Sequence, residues 1–148
     1  MNINLKEGKI GLIAGSFDLI HPGYIIMFSQ AKEACDYLII ALQGDPTIER
    51  PNKCKPVQTI EDRKLILESI RYVDKVITYN TEKELYDLLD KTYHDIRILG
   101  EEYKEAAYTG HELGHCVLWL KRLHKYSTTA LKEAVCAERC IEHNKCMV

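Results

Sequence analysis

Short apolar runs and helical patterns alternate along these 148 residues, and that alternation leaves few folds open. From Lys9, GKIGLIAGSF is an apolar run ended by a glycine-containing turn, as a buried parallel strand begins an α/β unit. Tyr37 to Gln43, KVITY, IRILG and CVLWL read as four more strands. Tyr24 to Ala34 carries apolar residues at Tyr24, Ile25, Met27, Phe28 and Ala31, and Pro22 suits its first turn because no helical partner awaits an N–H there. Thr59, followed by Asp62, caps a helix running to about Arg71. EKELYDLLDK forms the next, and Ser127 caps a last one, TTALKEAVCAERC. The order expected is strand and helix in strict alternation to the fifth strand and a final helix. It implies a single Rossmann-like, doubly wound α/β domain: a mainly parallel five-stranded sheet with helices on both faces and right-handed crossovers. Residues 1–135 make up this domain, and 136–148 are read as a helix end and tail.

Composition narrows the function classes. Twenty basic and twenty-two acidic residues leave a net charge of -2, which argues against nucleic-acid and membrane-surface binding. No apolar run has the ~18 residues of a membrane span. The start, MNINLKEGKI, has no export pattern, so the expectation is a cytoplasmic protein whose six cysteines stay reduced.

In open α/β sheets ligands bind beyond the C-terminal ends of the strands. The loop after the first strand reads Gly15-Ser16-Phe17-Asp18-Leu19-Ile20-His21-Pro22-Gly23-Tyr24. Gly15 permits a tight turn. His21 and Tyr24 stand three apart at a helix start and can face one spot, beside free N–H groups and the positive end of the helix dipole. That is a phosphate site, or else a capped helix with a structural histidine.

GSFDLIHPGY resembles the GxFDxxHxGH signature of the cytidylyltransferase-like nucleotidyltransferases. EDRKLILESIRYVDKVI is similar to a segment of the glycerol-3-phosphate cytidylyltransferases. HKYSTTALKEAV resembles their C-terminal STT motif, with Arg122 five residues before Ser127. The likeness spans about residues 9–135. It implies a reaction in which a substrate phosphate attacks the α-phosphorus of CTP, with Mg²⁺, releasing pyrophosphate and a CDP-alcohol. Catalysis would consist of positioning and charge neutralisation.

The resemblance also distributes roles. Gly15, Ser16, Phe17, Asp18 and His21 would surround the nucleotide, and His21 would donate to phosphate oxygens. Asp18 would orient the loop or help hold Mg²⁺. Lys53 and Lys55 either grip phosphates, Lys55 including that of the acceptor, or form a solvated basic loop. Arg71 would contact the phosphorylated substrate. Gly100 and Glu101 would read the base, and Arg122, Tyr126, Ser127 and Thr128 would hold the triphosphate and nucleotide. Tyr24 replaces the second signature histidine. A phenol donates a hydrogen bond but carries no positive charge. Either it does the job, or the substrate differs, or the chain binds nucleotide with little turnover; the first reading is favoured because the other motifs are intact. ATP-using relatives, such as heptose-phosphate adenylyltransferases, share the first motif, so adenylyl transfer is the alternative. A homodimer is implied by the same resemblance.

Two strings mimic metal sites. His111-Glu112-Leu113-Gly114-His115 spells HExxH, but Gly114 and the strand after it oppose the helix that a zinc protease needs. Cys136, Cys140, His143 and Cys146 lie close together at a spacing unlike paired-cysteine zinc sites; bound zinc would instead mean a zinc-stabilised interaction protein.

Overall fold

The computed structural model describes the backbone of residues 8–146 and the side chains of residues 8–138. Five strands form one sheet: β1 (Ile10–Gly15), β2 (Tyr37–Gln43), β3 (Lys75–Tyr79), β4 (Ile96–Gly100) and β5 (Cys116–Leu120). Every pairing is parallel and the spatial order is β3-β2-β1-β4-β5. β2 explains its own central place. Six of its seven residues are buried, the continuous apolar run that a parallel strand covered on both faces requires.

The helices are α1 (Pro22–Ala34), α2 (Ile60–Glu68), α3 (Glu82–Lys91) and α4 (Thr128–Cys146). Phe28 and Ala31 of α1 and Leu67 of α2 pack with Ile13, Ile40 and Ile98 on one sheet face. Leu85 and Leu89 of α3 pack with Leu12, Ile39 and Ala41 on the other. The doubly wound sheet is therefore as expected. Phe28 is fully buried with the Phe17 ring 5.6 Å away, and truncating such a ring to alanine costs about 3–5 kcal/mol.

Three expectations need correction. No α-helix joins β4 to β5; two single-turn 3-10 segments, Glu101–Tyr103 and His111–Leu113, do so, and Gly110 (φ 84°) and Gly114 (φ 70°) take left-handed backbone that interrupts helix. α2 ends at Glu68 rather than Arg71, because the Ser69 N–H turns back to the carbonyls of Ile66 and Leu67. α4 continues past Cys140 to Cys146.

Strand order reverses between β1 and β4. Ligands of open α/β sheets bind in the crevice at such a point.

Candidate active site

The loop from β1 to α1 is built under constraint. Phe17 (φ 46°) and Leu19 (φ 50°) both adopt left-handed backbone, which costs a residue with a Cβ free energy that its surroundings must offset. Those surroundings are specific. The Asp18 carboxylate accepts from the amides of Val57 (2.8 Å) and Gln58 (3.0 Å), and the Gln58 side chain accepts from Leu19 N (3.1 Å). Beneath them Arg63, only 2% exposed, donates to the carbonyls of Ser16, Gln43, Gly44, Gln58 and Thr59. One guanidinium thus ties the C-terminal ends of β1 and β2 to the start of α2.

This frame delivers His21 as the N-cap of α1, its Nδ1 accepting from Gly23 N at 3.1 Å. The ring lines a cleft of about 330 Å³ between the start of α1, the ends of β4 and β5, and the start of α4. Gly100, Glu102, Arg122, His124, Ser127 and Thr128 share that cleft. Burial, then His124 and Arg122, push the His21 imidazole below its ordinary pKa, so it is a neutral donor near pH 7. Neither α1 nor α4 has an acidic residue in its first turn, which leaves both positive helix ends available to an anion.

The segment before α4 folds on itself. Arg122 donates to the Tyr126 carbonyl, Tyr126 N donates to His124 Nδ1 at 3.2 Å, and Ser127 Oγ accepts from Ala130 N at 3.0 Å. α4 is joined to the loop after β1 through Thr128, whose hydroxyl donates to the Asp18 carbonyl at 3.1 Å. That spends its one proton. The Tyr24 hydroxyl, 3.2 Å away, is therefore the donor to Thr128 Oγ1. The Tyr24 ring stacks on His21 at 4.3 Å. Tyr24 and Thr128 also border a second compartment of about 310 Å³, lined by Ser16, Asp18, Cys54 and Lys132 among others.

A cleft at the point of strand reversal, with a neutral histidine, an arginine and two helix ends, is equipped to bind phosphate. The family model described as cytidylyltransferase-like matches residues 12–134, which include all of these groups. The chain belongs to the cytidylyltransferase-like family.

This cytidylyltransferase-like enzyme is 37% identical over 122 residues to the glycerol-3-phosphate cytidylyltransferase of Bacillus subtilis, covering 82% of this chain and 92% of that protein. It is 33% identical over 103 residues to the bifunctional protein HldE of Gluconacetobacter diazotrophicus. That match covers 69% of this chain but 21% of HldE, so the chain spans about a fifth of that bifunctional relative. Among solved structures, a lipopolysaccharide core biosynthesis protein of Thermoplasma volcanium superposes with a TM-score of 0.63 at 23% identity, over 80% of this chain and 98% of that one. Pantothenate synthetase of Thermus thermophilus gives 0.55 at 11%, over 85% and 64%. These two likenesses show the fold.

The residues singled out from the sequence divide into three groups. His21, Tyr24, Gly100, Arg122, Ser127 and Thr128 meet in the cleft. Ser16 and Asp18 line the second compartment, and Asp18 holds the loop with both carboxylate oxygens. The others stand apart. The Phe17 ring is buried in the core beside Phe28, and Gly15 is the last residue of β1, with a Cβ there only 3.2 Å from that ring. Lys55 lines a separate hollow with Asp45 and Arg63, and Lys53 is exposed in the turn after Arg50. Arg71 donates to the Tyr72 hydroxyl at 2.7 Å outside the cleft. Glu102, not Glu101, is the carboxylate of the cleft, and Tyr126 contributes its backbone to the loop.

The HExxH string is not helical. His111 begins a 3-10 turn, and the His115 ring packs against His94, with nitrogens 3.2 Å apart. Among the described residues no three His, Cys, Asp or Glu side chains are grouped to hold a metal. Cys136 is exposed; Cys140, His143 and Cys146 lie outside the described side chains.

Sequence reasoning missed His124 and Arg63 as site-building residues. Arg63 lay within the quoted EDRKLILESI segment. His124 likewise opens the HKYSTTALKEAV segment, where only Tyr126, Ser127 and Thr128, with Arg122 just before it, were given roles.

Proposed function

We propose that this chain transfers CMP from CTP to a phosphorylated small alcohol, glycerol 3-phosphate or a similar polyol or sugar phosphate, forming a CDP-alcohol and pyrophosphate. The observation that carries this is the convergence of His21, Arg122 and the starts of α1 and α4 on one cleft. The likeness to the glycerol-3-phosphate cytidylyltransferase of Bacillus subtilis, matched over 92% of its length, supports CTP and an alcohol phosphate.

In this reading an acceptor phosphate oxygen attacks the α-phosphorus of CTP, and the bond from that phosphorus to the bridging oxygen breaks. Pyrophosphate leaves with the electron pair. His21 Nε2–H, the Arg122 guanidinium and the amides at the two helix starts neutralise charge on the departing oxygens. Gly100 and Glu102 would face the base. The second compartment, which shares Tyr24 and Thr128 with the cleft, would receive the acceptor, with Lys132 as its cation and its phosphate reaching the α-phosphorus along that shared border. Asp18 is engaged by two amides and lies 3.7 Å from Lys132, which supports a loop-holding role for it. Mg²⁺ is proposed to arrive with CTP, as part of the substrate, on its phosphate oxygens.

Pyrophosphate release with Mg²⁺, measured for CTP and ATP against glycerol 3-phosphate and a panel of polyol and sugar phosphates, tests the proposal. Release with CTP is expected. Release with ATP alone would establish adenylyl transfer instead. Binding of CTP with no release across the panel would make the chain a nucleotide-binding relative. A homodimer in the cytoplasm is part of the same proposal, read by light scattering and by fractionation of cells.

A further inference from the structure

The cleft contains a second imidazole, at the head of the HKYSTTALKEAV segment. His124 reaches it from the segment between β5 and α4. The two rings close on the backbone of Gly23. A Cβ placed there would lie 2.6 Å from His124 Cε1 and 2.8 Å from His21 Cε1, so only glycine lets both approach.

Their hydrogen bonds fix the same tautomer twice. His21 Nδ1 accepts from Gly23 N, and His124 Nδ1 accepts from Tyr126 N. A ring nitrogen that accepts an amide proton carries none itself, so in each ring the nitrogen left to donate is Nε2. Each ring is held by its Nδ1 edge. Among the described hydrogen bonds neither Nε2 has a protein partner. Tyr24 cannot supply this second donor in the same arrangement, because its hydroxyl proton is directed to Thr128.

We propose that His124 is a catalytic residue: its Nε2–H and that of His21 form a paired donor for the phosphate oxygens of the nucleotide, with Arg122 beside them. This rests on the nucleotidyl-transfer reading above. Pairing suits the chemistry, because charge grows on more than one oxygen as pyrophosphate departs, and preorganised donors act without further rearrangement.

Calorimetric titration with inorganic pyrophosphate reads the site without requiring turnover. His124→Asn places an amide oxygen near the Nδ1 position, preserving the acceptor for Tyr126 N, but cannot reach the Nε2 position. His124→Gln extends a donor toward it. We expect His124→Asn to weaken pyrophosphate binding roughly ten- to a hundredfold, and His124→Gln to retain more of it. Equal binding by wild type and His124→Asn would overturn the proposal and leave His124 a loop-holding residue. Equal loss in both variants, with unchanged circular dichroism and thermal midpoint, would also overturn it. Where wild type turns over, kcat of His124→Asn is expected to fall about 10²-fold or more with little change in KM for the acceptor. An inactive wild type that binds pyrophosphate through His124 would end the transfer reading while sustaining the paired site.

Discussion

Tyr24 stands at a signature histidine position and directs its one proton within the protein. Its ring stacks on His21 and its hydroxyl donates to Thr128, so it braces the start of α1 against the start of α4. Tyr24→Phe is expected to lower unfolding free energy by about 1 kcal/mol in urea melts, the worth of one hydrogen bond. Turnover is expected to fall less than in His21→Ala, which removes the proposed donor to phosphate and should cost about 10²–10³-fold. Equal losses in the two variants would identify the phenol as a phosphate donor. At this scale the sequence was legible where residues are near neighbours. His21 and Tyr24 share a helix turn, and their facing follows from spacing alone. His124 approaches Gly23 across about a hundred residues of chain, and no local pattern encodes that approach. Asp18 was legible in type only: its two amide partners, at Val57 and Gln58, come from a loop whose course sequence does not set.

Elements were easier to read than their ends. Buried parallel strands advertise themselves as unbroken apolar runs, and all five were found. Between β4 and β5 the pattern of alternation predicted a helix that left-handed glycines at 110 and 114 prevent. Arg63 shows why elements meet where they do. It gathers five carbonyls from the ends of β1 and β2 and from the start of α2. Arg63→Met would leave those carbonyls short of donors in a buried place, and we expect a loss of about 3 kcal/mol or more, seen as a lower urea midpoint. A shift below about 1 kcal/mol would mean that water replaces the guanidinium.

His94, 7% exposed just before β4, makes stability depend on pH. Burial pushes its pKa down, the Thr92 carbonyl opposes that, His115 and Arg97 lower it further, and Asp95 raises it. Because the folded value lies below the unfolded one, the unfolded chain takes up the proton first as pH falls. The neutral ring's contribution is complete above about pH 6.5 and declines as pH drops from there through the folded pKa. His21 is lowered as well and adds in the same direction. The urea midpoint should therefore fall from pH 7 to pH 5.5, and His94→Asn should flatten that slope. An unaltered slope in the variant would place the proton uptake on other groups.

For the whole molecule, the strand order decides where a ligand acts. β1 stands at the centre, and reversal between β1 and β4 opens the cleft whose other wall is α4. Alternating strands and helices foretold a doubly wound sheet; which strands lie beside β1 is set by packing over the full chain. α4 meets the loop after β1 through Thr128 and through Lys132, 3.7 Å from Asp18. A nucleotide bound between the starts of α1 and α4 would add contacts across that junction. At about a hundred times its Kd, CTP should add about 2.7 kcal/mol of stability and raise the thermal midpoint by roughly 5–10 °C. The gain should be spatially uneven. Hydrogen exchange should slow most at the first amides of α1 and around Thr128–Leu131, because those groups would face the phosphates directly. If the midpoint rises while exchange near Thr128 is unaltered, the phosphates rest on α1 alone. α4 would then be a brace for the loop after β1 and not a wall of the nucleotide site.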